Sequence, residues 1–159
     1  EMDASKGIVW SNLGVARLQR GRNKEAIAAF GEARNLEPEN EDTRYNLASA
    51  LARIGNHAAV IELLAAPPPQ RADLLAIQGM SLRGMGRMQD AVAVLQQAAQ
   101  KAPRNLDILN NLGVAQADAG DVEAARATWL RVLEISPHNE TARKNLEARG
   151  GIPGGDGGL

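Results

Sequence analysis

Apolar residues recur along this chain with helical spacing, in short blocks separated by glycine and proline. In the block that begins at Gly7, Leu13 and Gly14 fall three and four positions after Trp10, which puts the three on one helical stripe with the stem of Arg17 at its edge. Gly21 ends that predicted helix. A second stripe runs through Ala26, Ile27, Phe30, Ala33 and Leu36, and Pro38 prevents its continuation. The spacing therefore predicts two helices joined by a tight turn.

The same pattern then repeats. The stretch SNLGVARLQRG at Ser11 to Gly21 is restated as NNLGVAQADAG at Asn110 to Gly120, 99 residues later. Intermediate copies end at Gly55 and Gly86, giving closing-glycine spacings of 34, 31 and 34. Four units follow, at 7–40, 41–71, 72–105 and 106–139, with a capping helix at 140–149. Residues 1–6 are expected to be an N-terminal extension, and the glycine-rich 150–159 a flexible tail or linker. Asn40, Asn105 and Asn139 each close a unit and can cap the helix that follows. The second unit is three residues short, and Pro67 to Pro69 fall where its second helix should still run, so that helix is expected to be short.

Trp10, Leu13, Gly14, Ala26, Phe30, Ala33 and Pro38 together resemble the tetratricopeptide repeat, a 34-residue helix-turn-helix. The fourth unit resembles it through Leu109, Leu112, Gly113, Ala125, Trp129 and Pro137, and the third through Leu75, Gly79, Ala91, Leu95, Ala98 and Pro103. The expected fold class is thus an all-α helix-turn-helix solenoid of four repeats plus a C-terminal capping helix. Small residues let two helices approach closely, so Gly14 is expected to face Ala26, and Gly113 to face Ala125. Trp10 and Trp129 occupy core positions of the pattern, and such units bury their stripes only by stacking on neighbours.

Composition narrows the function classes. Formal net charge is -1 and no basic run is dense enough to neutralise a row of phosphates, so a nucleic-acid partner is not expected. Aromatics make up only 3%, which favours closely packed helices over a β-sandwich. Cysteine is absent, which removes disulfides and a thiol nucleophile. No apolar run reaches the length of a membrane span. Compartment stays open, with the cytoplasm the simpler expectation and the periplasm an alternative if an upstream signal was removed. His57 and His138 fall in or beside turns, and no metal-ligand set, phosphate loop or nucleophile motif is present, so neither a catalytic site, a metal nor a cofactor is expected.

The sixth position of each unit is the informative one. At 100° per residue, positions 2, 6, 9 and 13 of the first helix lie opposite the packing stripe, and Asn12, Asn46, Asn111 and Asn145 all occupy position 6, with Ile77 in the divergent unit. The resemblance implies that first helices line a concave surface, where such asparagines hold the backbone of an extended peptide. An amide suits that task because it offers both a donor and an acceptor. The plainer alternative, that these asparagines solvate the face or bond to a neighbouring helix, stays open. Asn110, Arg53, Met80 and Arg83 complete the candidate peptide-binding set, Met80 as an adaptable apolar contact. Asp42, Asp73, Asp107, Asp118 and Lys144 share this face, so neither charge sign dominates. Ser11, Val15, Asp73 and Ile77 replace the residues of the family's dicarboxylate clamp, which is therefore not expected here.

The chain thus reads as a non-enzymatic scaffold binding a protein or peptide segment of unknown identity. Two alternatives remain, a regulatory or targeting module of a larger enzyme and a self-assembling structural protein.

Overall fold

The computed structural model describes the backbone of residues 2–149 and the side chains of residues 5–149. The expected tail at 150–159 lies outside the described residues. Among the described residues the regular elements are helices alone: α1 (Met2–Gln19), α2 (Asn23–Leu36), α3 (Glu41–Arg53), α4 (His57–Ala65), α5 (Ala72–Gly84), α6 (Met88–Lys101), α7 (Leu106–Asp118), α8 (Val122–Ile135) and α9 (Glu140–Arg149). They form two compact units that meet in sequence at Pro69 and Gln70. In the first unit α2 packs on α1 and α3, and α3 also touches α1 and α4. In the second, each helix from α5 to α9 packs on its sequence neighbours, and α7 also touches α5 and α9.

The turns inside the repeats share one mechanism. Gly21, Gly55, Gly86 and Gly120 have φ of 73°, 74°, 76° and 90°, a left-handed conformation that a side chain would strain. At the first of them Arg22 N–H donates to Arg17 O (2.9 Å) and Gly21 N–H to Leu18 O (3.0 Å), the paired bonds that satisfy the last carbonyls of α1. Helices α3, α7 and α9 start on a side-chain cap: the Oδ1 atoms of Asn40, Asn105 and Asn139 accept from Thr43, Ile108 and Ala142 N–H at 3.0, 3.1 and 2.9 Å, whereas Arg71 before α5 gives none. Asn56 and Asp121 do the same for α4 and α8 at the turns within their repeats.

Packing shows what stands against the glycines of the first helices. A Cβ on Gly14 would lie 2.5 Å from Phe30 Cε1, one on Gly79 2.6 Å from Leu95 Cγ, and one on Gly113 2.4 Å from Trp129 Nε1. The glycines of α1, α5 and α7 therefore lie nearest the large residue sixteen positions later, and in the third repeat Ala91 O also stands 3.3 Å from the Cβ position of Gly79. The physical reason is volume: the missing side chain is the space the ring occupies. Phe30, Leu95 and Trp129 are accordingly 0% exposed.

The ends of the pattern differ from expectation. Residues 2–6 carry no proline or glycine to stop a helix, and α1 runs back through them to Met2, so the segment before the first repeat is helical. Trp10 is half-buried and Leu13 exposed, because among the described residues α1 packs on α2 and α3 alone. Helix α4 has nine residues against fourteen in α2, α6 and α8, and it ends just before Pro67.

Candidate functional site

In the first unit, Asn12 projects from α1 and is exposed, whereas Asn46 on α3 is half-buried. Neither amide makes a hydrogen bond among the described residues, so both keep their donors and acceptors for solvent or a ligand. Arg53, in the last turn of α3, is exposed.

In the second unit, Asn111 on α7 and Asn145 on α9 are half-buried and likewise carry no hydrogen bond among the described residues. Met80 on α5 is half-buried. Asn110 is a correction. It is only 7% exposed, and its Nδ2 donates to Asn139 Oδ1 at 3.4 Å, the same oxygen that caps α9. One residue along a helix is a 100° rotation, which turns Asn110 from the open face into the α7–α9 junction. It braces a cap and is almost wholly buried.

Arg83 is engaged too. Its Nε donates to Asp118 Oδ2 at 2.6 Å, while Arg149 Nη1 reaches Asp118 Oδ1 at 2.6 Å, so one carboxylate on α7 links α5 to α9. Burial alone would push the Asp118 carboxyl up, but the hydrogen bond and charge of Arg83, followed by those of Arg149, outweigh it and hold the group below its ordinary value. Two guanidiniums on one carboxylate leave this end of the face with a positive balance. At its other end Asp73 is held low chiefly by its hydrogen bond from Arg71, at 2.7 Å, and also accepts from Leu74 N–H. Ten residues separate Asp73 from Arg83 along α5, about 15 Å of helix.

Sequence reasoning passed over Arg44. It stands in the second repeat where Trp10, Leu75 and Leu109 stand in the others, and it is only 6% exposed. Its Nη2 donates to Leu63 O at 3.3 Å and to Pro67 O, closing the carbonyl end of the shortened α4. An arginine at an otherwise apolar repeat position was the available signal. Of the two histidines, His57 opens α4 and His138 is exposed in the turn before α9. Among the described residues no group of three or more His, Asp or Glu side chains could hold a metal ion, and no helix is long and apolar enough to cross a membrane.

Helix pairs closed by left-handed glycines, with a glycine in α1, α5 and α7 seating a large residue of the helix that follows, define a helical repeat protein. Family models described as tetratricopeptide repeat match residues 17–80 and 78–140. The chain belongs to the tetratricopeptide repeat family, with an all-α helical solenoid fold. No curated protein matches it in sequence. Solved structures share the fold at low identity. "YrrB: a TPR protein with an unusual peptide-binding site" is 20% identical with a TM-score of 0.75, over 92% of this chain and 77% of that one. MamA from Desulfovibrio magneticus RS-1 is 18% identical with a TM-score of 0.74, over 84% and 77%. The thermophilic TPR protein TTC0263 of Thermus thermophilus is 22% identical with a TM-score of 0.72, over 91% and 84%.

Proposed function

We propose that the chain is a non-enzymatic scaffold that holds an extended protein segment against the open face of its first helices, its asparagine amides bonding the segment's backbone. The observation that carries this reading is the recurrence of one amide at one repeat position. Asn12, Asn46, Asn111 and Asn145 sit on four first helices, all at least partly exposed, with no side-chain hydrogen bond among the described residues. A half-buried amide left unbonded gains most from a ligand that supplies both partners, and a peptide group does so whatever its side chain. The peptide-binding site stated for YrrB, a protein of the same fold, supports the same reading.

The test is a peptide selected from a random displayed library on the purified chain, then titrated by calorimetry. The double variant Asn46→Ala/Asn111→Ala should bind it roughly 5- to 150-fold more weakly, at about 0.5 to 1.5 kcal/mol per lost hydrogen-bonding residue. Unchanged affinity would remove the asparagines from the site.

A further inference from the structure

The first unit carries a feature that does not include the asparagines. A pocket of about 700 Å³ opens between α2, α3 and α4 in the first unit. Its apolar walls are Ile27, Pro38, Leu51, Leu63 and Pro67, and the buried Arg44 lines it as well. The shortened α4 explains part of the space. At the 27th repeat position Ala33, Ala98 and Val132 are fully buried, but the second repeat has Pro67 there, exposed and on the pocket wall.

Acidic side chains outnumber basic ones around the pocket, Glu32, Glu39 and Glu62 against Arg34 and Arg44. Glu32, Glu39 and Glu62 line it, are exposed, and make no ion pair or hydrogen bond among the described residues. Arg34 is the cation beside them, while the Arg44 guanidinium is turned to the carbonyls of Leu63 and Pro67. Three exposed carboxylates beside a hollow of mixed polar and apolar lining favour cations there and leave room for an apolar side chain against Ile27, Leu51 and Leu63.

We infer that this pocket is a second docking site, for a protein segment that inserts an apolar side chain flanked by lysine or arginine. The apolar residue occupies the space left by the missing turn of α4, and the flanking cations pair with Glu32, Glu39 and Glu62. Although α3 contributes Arg44, Leu47 and Leu51 to the lining, Asn46 is not part of it, so the pocket and the asparagines are distinct sites.

The test uses two synthetic amphipathic peptides with identical leucines, one flanked by lysines and the other by glutamates. Each is titrated into the isotope-labelled protein, with backbone amide shifts followed by NMR. The lysine peptide is expected to shift the amides of Ile27 and Leu63 and to bind at least tenfold more tightly than the glutamate peptide. Glu32→Gln/Glu39→Gln/Glu62→Gln should weaken it roughly 3- to 100-fold, taking each exposed ion pair at its usual modest strength. The single substitutions each remove one exposed charge and should give proportionate steps, which keeps the test open if the triple variant folds poorly. Asn46→Ala should leave this binding unchanged, separating it from any failure of the asparagine reading. Preference for the glutamate peptide, indifference of the lysine peptide to the three substitutions, or shifts spread over the surface away from α2 and α4 would each overturn the inference.

Discussion

Gly113 on α7 and Trp129 on α8 form a single packing element, since a Cβ on the glycine would lie 2.4 Å from the indole nitrogen. Trp129 is fully buried, so Trp129→Ala should cost about 3 to 5 kcal/mol and lower the melting temperature markedly. Gly113→Leu should destabilise by about 1 to 3 kcal/mol or more through overpacking. Because both substitutions act on one contact, a double-mutant cycle should be non-additive: with the ring gone, the leucine has room. Chemical denaturation of the four proteins measures the coupling, and strict additivity would mean that the two residues do not share this space.

Asn110 and Asn111 are neighbours in sequence with opposite expected outcomes. Asn110→Ala removes the donor to Asn139 Oδ1 and loosens the cap of α9, so it should destabilise by about 0.5 to 1.5 kcal/mol and raise hydrogen exchange at the start of α9. Asn111→Ala should leave stability within about 0.5 kcal/mol, as should the exposed control Glu123→Ala on α8. Thermal melts of the three variants distinguish a structural amide from an available one.

Asp118 should make stability pH-dependent. Its folded-state pKa is depressed, so its contribution is fully present above the ordinary carboxylate value of 3.8 and is lost as pH falls through the lower folded value. Asp118→Asn should therefore melt below the parent at pH 7, and the difference should shrink as the pH is taken below about 4. Melting curves across that range test the sign. A gap that widens on acidification would contradict the pairing with Arg83 and Arg149.

Helix α4 should be the least protected second helix. It has nine residues, and its carbonyl end depends on a single arginine side chain, so amides from His57 to Ala65 should exchange faster than those from Val122 to Ile135. Arg44→Met removes the donors to Leu63 and Pro67 and should accelerate exchange in α4 selectively, at a cost of about 1.5 to 3 kcal/mol for bonds made by a charged group. Equal protection of α4 and α8 in the parent protein would sink this expectation.

Much of the architecture was legible in the chain because its causes are local. A left-handed turn needs glycine, a helix start favours asparagine, and proline stops a helix, so Gly21, Asn40 and Pro67 mark boundaries wherever the rest of the fold lies. Repetition multiplied each of these weak signals. The same repetition hid the exceptions, because a repeat frame assigns a residue the role of its counterparts. Arg44 stands in an apolar column, yet it binds carbonyls that only the truncation of α4 brings within reach.

By itself, the sequence determined the helix pairs, their turns, the short second repeat and the recurrence of asparagine on one face of the first helices. Only the tertiary structure decided which large residue fills each glycine's space, that Asn110 serves a cap while Asn111 stays open, and that Arg83 and Arg149 converge on Asp118. The physical reason is range. Backbone preferences act within a few residues and leave a readable trace, whereas steric fit and charge pairing depend on which side chains meet in space, here 16, 29, 31 or 35 positions apart.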